Sequence, residues 1–498
     1  MRRPVIFNGT TFVKPLAATP ERPAALPGDD GAQPFDEGTR LLQQGRFSEA
    51  VGVLCAAVLC QPDRPEAHAN LALALDLSHL DEEAESHYRR ALVLAPLLAQ
   101  VWINLGALLE RRKRYAEAEQ TYREALRIEP DSAAAWTGLG VLHEQLRRYP
   151  DAEQAHRRAL ALAPGWPHAS VNLAMLLLRV GRLEEGWSYL EMRDWYAPVQ
   201  ARIGLARWRG EPLRGRAVLL GVEAGHGDMI QFCRYAPWLK RLGASRVGVL
   251  CHPGLQPLFE HADGIDQTIA VGVPAVEQGA DQPWDLWCPM LSLPGLCGTR
   301  LDTIPDRLPY LKADPARLAR WSPRLREPRA SGPPNLLRVG LVWKGNPGFV
   351  NDRERSLASL HALAPLGRLA RVRFVSLQKG EGEAEALPGR APFPITPLGA
   401  EIGDFADTAA VLSQLDLLIA VDTAVAHLAG ALACPCWVLL PHHKTDWRWL
   451  DDRTDSPWYP GVMRLYRQQA GEDWGRVILD VARDLACLVE ARSPSAIC

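Results

Sequence analysis

Cysteine is scarce in this sequence, and nothing in its pattern indicates secretion or a metal centre. The ten cysteines among 498 residues are scattered. Cys434 and Cys436 are separated by one residue, too close for the usual spacing of a zinc-binding pair. The opening residues, MRRPVIFNGTTF, lack the apolar run of a signal peptide. This composition predicts reduced thiols and a cytoplasmic location.

Charge of one sign and long apolar runs are also missing. The formal net charge is −2, so no basic excess supports binding to nucleic acid or to a membrane surface. The longest apolar stretch, 415–440, is interrupted by two aspartates and a histidine, which predicts buried strands and a helix and no membrane span. Hydrophobic residues make up 47% and charged residues 23%, which excludes a disordered or fibrous protein. At roughly 150 residues per domain, the length predicts about three domains.

Proline recurs every 34 residues in the first part of the chain, at Pro62, Pro96, Pro130 and Pro164. Columns of small and bulky residues keep the same period: Gly38, Ala72, Gly106, Gly140 and Ala174; Ala50, Ala84, Ala118, Ala152 and Gly186; Ala57, Ala91, Ala125 and Ala159; Tyr88, Tyr122 and His156. Small residues let paired helices approach closely, and bulky residues fill the gap to the next pair. This pattern is typical of tetratricopeptide repeats and predicts an α solenoid of about five units over residues 31–195. Residues 1–30, rich in proline and alanine, are predicted to form a flexible arm.

Three asparagines share one phase of the repeat, although Gly138 breaks the series. They are Asn70, Asn104 and Asn172. An asparagine amide can pair with the backbone N–H and C=O of any peptide. The series resembles the asparagine ladder of the O-linked N-acetylglucosamine transferases, which holds the acceptor polypeptide on the concave surface. The alternative is that these asparagines cap or solvate a helix face.

The period stops after Trp195, and apolar runs then alternate with helical patterns. Runs typical of buried strands occupy 217–224, 246–251, 266–270 and 285–288, and later 336–343, 371–378, 416–421 and 436–441. The alternation predicts parallel sheets covered on both faces, hence two Rossmann-like domains, 196–315 and 336–498, with a cleft between them. The polar segment 316–335 is predicted to be their linker.

A strand end followed at once by a helix start carries the strongest chemical signal. Asp422 and Thr423 stand at this junction, where the first N–H groups of a helix and its dipole attract phosphate. His427 lies one turn further on the same face as Thr423 and can reach the same ligand. The alternative is that Asp422 is an ordinary helix cap and His427 a core histidine with internal partners.

A glycine turn in the other half is the second such signal. Gly225-His226-Gly227 is followed by Asp228, with Gln231 one turn on, and the spacing of apolar residues over 229–243 predicts one continuous helix. VDTAVAHLAGAL and GVEAGHGDMIQF resemble the nucleotide-sugar site and the amino-terminal glycine loop of glycosyltransferase family 9, the heptosyltransferases. The resemblance implies that Asp228 is the catalytic base, that the glycine turn and Gln231 form the acceptor loop, and that the Asp-Thr-x-x-x-His segment faces the donor diphosphate. Asp228 also stands where a helix cap is expected, and both roles hold only if its carboxylate faces the cleft.

Longer stretches extend the resemblance over nearly the whole chain after residue 30. GRLEEGWSYLEMRDW, LCGTRLDTIPDRLPYL, GLVWKGNPGFVNDRERS and DWRWL look like a bacterial group that fuses tetratricopeptide repeats to a family-9-like transferase. The resemblance implies a GT-B fold and a polypeptide acceptor, such as flagellin or another surface protein. Family 9 itself implies ADP-heptose as the donor, whereas flagellin-modifying relatives imply a nucleotide-activated nonulosonate.

A basic segment after the first strand of the second half supplies further candidates for donor binding. They are Lys344, Asn346, Arg353 and Arg355, together with Gln378 after the next strand. Lysine and arginine at the carboxyl end of a strand can clamp a diphosphate leaving group. The alternative is a solvated basic loop.

Together these features predict an inverting glycosyltransferase that moves a sugar from a nucleotide-sugar to a protein hydroxyl recruited by the repeats. No metal and no other cofactor is expected, because protein cations and a helix start can hold the leaving group. Two alternatives stay open: a repeat scaffold with an inactive transferase half, and a heptosyltransferase that acts on a glycan. A nicotinamide oxidoreductase is the weakest reading, since the glycine turn lacks the third glycine of that motif. The segments Trp447–Trp449 and Trp458–Tyr459 are expected mainly to pack the carboxyl-terminal region.

Overall fold

The computed structural model describes residues 32–272, 283–325, 336–349 and 351–492. These residues form two compact units, one ending at Leu176 and the other beginning at Leu177. The predicted arm at 1–30 and residues 326–335 of the predicted linker lie outside the described residues. Within the described ranges, no helix combines the length and the apolar composition needed to cross a membrane.

The first unit consists of consecutive helix pairs. Its helices are α1 (Ala32–Gln43), α2 (Phe47–Cys60), α3 (Pro65–Leu77), α4 (Asp81–Leu94), α5 (Ala99–Arg111), α6 (Tyr115–Ile128), α7 (Ala133–Gln145) and α8 (Tyr149–Leu162), and α9 (Pro167–Arg179) follows. The four recurring prolines all lie in the connections that precede α3, α5, α7 and α9, where no backbone N–H is needed for a helix. The predicted solenoid of 34-residue helix pairs is confirmed.

The columns of small and bulky residues face each other within a helix pair. An added Cβ at Gly106 would lie 2.7 Å from the ring of Tyr122, and one at Gly140 would lie 2.5 Å from the ring of His156. Only glycine fits where the helices of a pair come this close. The bulky residue of the second helix therefore fills the space that the small residue of the first helix leaves.

Each bulky residue also forms a polar contact with an acidic residue twelve positions earlier. The hydroxyls of Tyr88 and Tyr122 donate to Asp76 and Glu110 at 3.3 and 3.2 Å, and the Nε2 of His156 lies 2.9 Å from Glu144. A second recurring contact joins the indole N–H of Trp102 and of Trp136 to the carbonyl of the proline six residues earlier, each at 2.9 Å. The repeat therefore preserves the polar contacts as well as the apolar packing.

The second unit contains two parallel sheets. The strands of the first are β1 (Ala206–Arg207), β2 (Ala217–Gly221), β3 (Arg246–Cys251), β4 (Gln267–Ala270) and β5 (Leu286–Pro289), in the order β1-β5-β2-β3-β4. Those of the second are β6 (Leu337–Val342), β7 (Val372–Ser376), β8 (Ile395–Pro397), β9 (Leu417–Val421), β10 (Cys436–Leu440) and β11 (Met463–Arg467), in the order β11-β10-β9-β6-β7-β8. Every residue of β2 and of β9 is buried, as expected for parallel strands covered on both faces.

In each sheet the order reverses next to a central strand. The chain proceeds from β2 outward to β4 and then returns to β5 on the other side of β2. It likewise proceeds from β6 to β8 and returns to β9 on the other side of β6. Such reversals leave a crevice at the carboxyl ends of the strands, which is where parallel sheets bind ligands. The loops after β2, β6 and β9 therefore occupy the positions where chemistry is expected.

The helices of the second unit surround the sheets. They are α10 (Leu183–Leu190), α11 (Ala197–Ile203), α12 (His226–Phe232), α13 (Ala236–Arg241), α14 (Gln256–Phe259), α15 (Leu293–Leu296), α16 (Pro315–Leu325), α17 (Asp352–Arg355), α18 (Phe405–Leu412), α19 (Ala424–Ala431) and α20 (Trp474–Ala491). Strands β1, β8 and β11 and helix α20 have no counterpart in the sequence-based prediction.

Two segments differ from that prediction. The continuous helix expected after the glycine turn is divided into α12, a 3-10 turn at Cys233–Tyr235 and α13, with Pro237 in the first turn of α13. The segment 316–335, predicted as a polar linker, begins with α16. This helix packs on α18, since Arg317 pairs with Asp404 at 2.7 Å and the indole of Trp321 donates to Asp407 at 3.0 Å.

We predict that Gly106→Ala destabilises the repeats by about 1–3 kcal/mol, because the new methyl group overpacks the contact with Tyr122. Gly52→Ala is the matched control, since an added Cβ on α2 has no neighbour within 4 Å. That control should stabilise by about 0.5–1 kcal/mol through helix propensity alone. Urea unfolding followed by far-UV circular dichroism measures both changes. Equal unfolding midpoints for the two variants would contradict the packing argument.

Candidate functional site

The two loops singled out by sequence meet at the carboxyl ends of β2 and β9. Helix α12 starts after Gly225, and helix α19 starts after Thr423. A Cβ added at Gly227 would lie 2.9 Å from the His427 ring and 3.5 Å from the Cα of Ala424. The starts of the two helices therefore abut, and a side chain at Gly227 would separate them.

Asp228 faces both its own helix start and the second sheet's half of the unit. One carboxylate oxygen, Oδ2, accepts the N–H of Gly225 at 2.8 Å, and the other, Oδ1, accepts from the guanidinium of Arg448. Burial raises the pKa of Asp228 above its ordinary value, although Arg448 opposes the shift. The helix-cap role and the cleft-facing role are therefore compatible.

Arg448 is the central cation of the site, and the sequence prediction missed it. Its guanidinium donates to Asp228 and to the Oε1 of Gln231. It also donates to both carboxylate oxygens of Asp446, at 3.0 Å each. It also lies 4.4 Å from the ring centroid of Trp447. The residue is 5% exposed, so these partners must balance its charge. Its place between two tryptophans of the segment 447–449 was the available signal, but that segment was expected mainly to pack the carboxyl-terminal region, with stacking on a base or sugar as the alternative.

Asp422 stands at the end of β9 in a cluster of like charges. Burial and the neighbouring carboxylate of Asp446 raise the pKa of Asp422 to about 6, against the opposing charge of Arg355. Burial also acts to raise the pKa of Asp446, but Arg448 overrides it and lowers that pKa below its ordinary value. The two neighbouring carboxylates therefore ionise in sequence as the pH rises, Asp446 first and Asp422 only around pH 6.

His427 is a neutral ring in this site. Its Nδ1 lies 2.9 Å from the hydroxyl of Tyr459, and its ring stacks on Trp449 with centroids 5.2 Å apart. Burial, followed by the nearby charge of Arg448, lowers the pKa of His427 to about 3. His427 can therefore offer hydrogen bonds and a ring surface to a ligand near neutral pH, but no positive charge.

Among the buried polar atoms that find no hydrogen-bond partner in the described residues, two belong to the two loop segments and a third to the segment after β6. They are the Nε2 of Gln231, the Oγ1 of Thr423 and the Oδ1 of Asn351. An unpaired polar atom in a protein interior lowers the free energy of unfolding unless a ligand or a water molecule supplies the missing hydrogen bond. Two of the three can donate a hydrogen bond, so the site is suited to an acceptor-rich ligand such as a phosphate.

The predicted donor-binding residues separate into two groups. Arg355 lies beside the site, since its charge acts on both Asp422 and His427. Lys344 is instead paired with Glu385 at 3.2 Å and with Glu381 at 3.5 Å. Lys344 is therefore neutralised by its own glutamates, and Arg355 is the residue of this segment whose positive charge acts on Asp422.

The other three candidates of this group have local roles. The buried Gln378 amide accepts from the N–H groups of Trp343 and Lys344 at 3.0 Å each and donates to the carbonyls of Lys344 and Glu381. Asn346 and Arg353 are exposed, and the Asn346 side chain accepts the N–H of Gly348 at 3.0 Å. Gln378 thus fixes the shape of the loop after β6.

His226 lies in an aromatic stack that joins the two sheets' halves. Its ring centroid is 4.4 Å from that of His252 and 5.2 Å from that of Phe405. Burial and then the neighbouring His252 lower the pKa of His226 to about 4. The stack holds the glycine turn against α18, and it adds no charge to the site near neutral pH.

A buried ion pair supports the glycine turn from behind, and sequence reasoning did not find it. Glu223, two residues before Gly225, pairs with Arg193 through both carboxylate oxygens. Glu223 also accepts from the indole of Trp195 at 3.0 Å and from the N–H of Leu291 at 3.1 Å. Removal of one partner of such a pair leaves an uncompensated buried charge.

The three asparagines of the repeats are buried, each 1–2% exposed. Asn70 donates to the hydroxyl of Thr39 at 3.0 Å, and Asn104 accepts from Gln100 at 2.8 Å. The Nδ2 of Asn172 has no hydrogen-bond partner among the described residues. Contact with a peptide stays a prediction for all three. Within the described ranges, no group of three or more His, Cys, Asp or Glu side chains is placed to hold a metal ion.

We predict that Asp422→Asn stabilises the chain, and more so as the pH rises. The raised pKa of Asp422 means that the folded state loses stability as its carboxyl ionises. The difference in free energy of unfolding between variant and wild type should therefore grow from about pH 4.5 to about pH 7.5. Urea titrations followed by tryptophan fluorescence measure it, with the exposed Asp452→Asn as control. A difference that does not change with pH would contradict the assignment.

Comparison with known proteins supports the repeats directly. Models of the tetratricopeptide repeat match residues 35–99 and 97–165. Protein FlbA of Caulobacter vibrioides is 30% identical over 321 residues, which cover 60% of this chain and 52% of that protein. This chain therefore spans about half the length of that relative, and the likeness extends beyond the residues that the repeat models match.

Solved structures are similar to smaller parts of the chain. The structure of Pseudomonas aeruginosa pilF is 26% identical, covers 32% of this chain and 74% of its own, and has a TM-score of 0.31. A thermophilic tetratricopeptide-repeat protein of Thermus thermophilus is 24% identical, covers 34% of this chain and 90% of its own, and has a TM-score of 0.30. The repeat models and the helix pairs establish residues 35–165 as tetratricopeptide repeats, joined in one chain to an α/β unit of two parallel sheets.

Proposed function

We propose that this chain is an inverting glycosyltransferase of GT-B architecture that uses a nucleotide-sugar donor. The observation that carries the proposal is the meeting of the starts of α12 and α19 at the carboxyl ends of β2 and β9, with the carboxylate of Asp228 at their junction. Two parallel sheets, each with a reversal in strand order, supply the crevices in which nucleotides bind. The resemblance of both loops to family 9 agrees with this placement.

Asp228 acts as the general base in the proposed reaction. Its carboxylate takes the proton of the acceptor hydroxyl, and the hydroxyl oxygen attacks the anomeric carbon of the donor sugar. The bond between that carbon and the phosphate oxygen breaks, and its electron pair leaves with the nucleotide. Attack from the face opposite the leaving group inverts the anomeric centre. The raised pKa of Asp228 suits a base, because a more basic carboxylate accepts a proton more readily.

The leaving phosphate is held by groups from the second sheet. The first N–H groups of α19 and the unpaired hydroxyl of Thr423 offer hydrogen bonds, and Arg355 and Arg448 supply positive charge. His427 contributes a neutral ring. Lys344 and Gln378, proposed from sequence as direct contacts, shape the loop after β6 through Glu385 and the backbone. These groups would stabilise the charge of the leaving nucleotide without a bound metal.

We further propose that the repeats recruit a polypeptide whose hydroxyl is the acceptor. Tetratricopeptide repeats are protein-interaction modules, and their presence in one chain with the α/β unit is the supporting observation. The resemblance to repeat-fused transferases favours a surface protein such as flagellin, and a glycan acceptor is the alternative for the same chemistry.

A scaffold without transferase activity is the second candidate function. One observation favours it: both oxygens of the Asp228 carboxylate are already engaged, one by Gly225 and one by Arg448. A base in this state is not ready to take a proton. Turnover of any nucleotide-sugar by the wild-type chain would support the transferase over the scaffold. A thermal-shift screen of nucleotide-sugars identifies the donor to test.

We predict that Asp228→Asn lowers the turnover of that donor by about 100-fold or more, the usual contribution of a general base. The amide keeps the size of the side chain but cannot accept the proton. Release of the nucleotide measures turnover, and calorimetry should show that donor binding is retained. The exposed Asp452→Asn is the matched control, with full turnover expected. Turnover by Asp228→Asn at the wild-type rate would reject the base assignment.

We also predict that a shorter solenoid loses the polypeptide acceptor selectively. Deletion of α1–α4 removes two helix pairs from the end of the array and leaves each remaining pair with its neighbour. KM for the polypeptide should rise about 10-fold or more, as expected when interface anchors are lost, with hydrolysis of the donor by water unchanged. An equal loss of both reactions would show that the deletion damages the α/β unit and that the repeats do not act by recruitment.

A further inference from the structure

We infer that Arg448 gates the base. In the absence of donor it holds the carboxylate of Asp228, and when the donor is bound its guanidinium moves to the phosphates and releases Asp228 for proton transfer. The inference rests on the proposed function and adds an order of events to it. Arg448 is thus a positioning residue for Asp228 and a donor-binding residue, which neither the repeats nor the two loop motifs indicate.

The carboxylate of Asp228 is occupied on both sides in the structure described. Oδ2 accepts the N–H of Gly225 at 2.8 Å and thereby stabilises the start of α12. Oδ1 is therefore the oxygen available to an acceptor hydroxyl, and Oδ1 is the one that Arg448 contacts. A guanidinium at that oxygen stabilises the ionised carboxylate and makes it a poorer base. Proton transfer thus requires that this contact be broken.

The contacts of Arg448 allow the guanidinium to turn while the residue stays in place. Both oxygens of Asp446 accept from Nη1 at 3.0 Å, and Asp446 also accepts the backbone N–H of Arg448 at 2.9 Å. Nε donates to Gln231, and Nη2 donates to Asp228. Because the guanidinium is planar and rigid, rotation about the Asp446 contact would move Nη2 away from Asp228 and Nε away from Gln231 together, toward another acceptor.

The groups next to Arg448 indicate what that acceptor is. Gln231 gives its Oε1 to Arg448, but its Nε2 is buried and unpaired among the described residues, and so is the hydroxyl of Thr423 at the start of α19. A phosphate carries several acceptor oxygens and negative charge, so it can satisfy both donors and compete with Asp228 for the guanidinium. A neutral sugar hydroxyl cannot compete in this way, because it offers no charge.

The charges around Arg448 couple such an exchange to the protonation of Asp228. Arg448 faces Asp228 and Asp446 directly and acts on Asp422 and His427, while Arg355, which also pairs with Asp352, acts on Asp422. Carboxylates therefore outnumber these two arginines, and the burial of Asp228 favours its neutral form once the guanidinium has left. Once the guanidinium has moved to a phosphate, Asp228 accepts a proton more readily. Donor binding would thus free Asp228 to act as a base. Without donor, Asp228 would stay paired with Arg448 and would not deprotonate water or the acceptor.

A double-mutant cycle on nucleotide binding tests the gate without any assay of turnover. The probes are UDP, ADP, GDP and CDP, titrated by calorimetry into the full chain and into the variants Asp228→Asn, Arg448→Met and the double variant. If Arg448 must leave Asp228 to bind phosphate, Asp228→Asn should bind the best nucleotide about 5-fold more tightly. Arg448→Met should bind it about 10-fold more weakly. In the Arg448→Met background, adding Asp228→Asn should change the affinity for the nucleotide by less than about 2-fold. Asp452→Asn controls for loss of one carboxylate in the same region.

Each other outcome overturns the inference in a recognisable way. Equal or weaker nucleotide binding by Asp228→Asn would make the ion pair a fixed structural contact. If Asp228→Asn raises the nucleotide affinity equally with and without Arg448, the carboxylate of Asp228 merely repels the charge of the nucleotide. If none of the four nucleotides binds the wild-type chain, both the proposed function and the gate fail, whereas normal binding with no coupling removes the gate alone. If Arg448→Met does not fold, Arg448→Lys replaces it as the test. Lysine keeps the positive charge but lacks the planar set of guanidinium N–H donors, so it should reduce the coupling between positions 228 and 448.

Discussion

The close approach of Gly227 to His427 and to the first residue of α19 is the contact on which the α/β unit's chemistry depends. It brings two helix starts together from two different sheets, so the partial positive charge of each helix start lies at one place. Asp228, Asp422 and Thr423 owe their proximity to this contact. A residue with a side chain at 227 would separate the helices and move every charged group discussed above.

Behind this contact, the unit is held by buried polar groups that need each other. The Arg193–Glu223 pair fixes the end of β2, and Arg448 joins the segment after β10 to the start of α12. Each is buried, so each charge is stable only while its partners remain. Arg448 differs from Arg193 in one respect that matters for function: its partners include a residue with unpaired hydrogen-bonding capacity, Gln231. This difference distinguishes an ion pair that supports the fold from one that can exchange partners.

The repeats follow another constraint, that of a fixed period. Each helix pair repeats the contact of a small residue with a bulky one and the contact of that bulky residue with an acid twelve positions earlier. Stability is then distributed along the array. In the α/β unit, by contrast, like charges are packed together at a cost in stability that a ligand could offset.

Sequence alone determined the parts of this protein that depend on local pattern. The 34-residue period predicted the helix pairs, the apolar runs predicted the buried strands, and a strand followed at once by Asp-Thr or by a glycine turn predicted where the two loops lie. It also placed Arg355 near Asp422, because residues that follow neighbouring parallel strands lie at one edge of the sheet.

Only the tertiary structure decided which charges meet. Lys344 is paired with Glu385, 41 positions further along the chain, and Arg448 is paired with Asp228 across 220 positions. Burial of His427 removes the charge that an exposed histidine could carry, and the helix predicted after the glycine turn is divided by a 3-10 turn just before Pro237. Ion pairs and pKa values depend on distance and burial, which pattern along the chain does not contain.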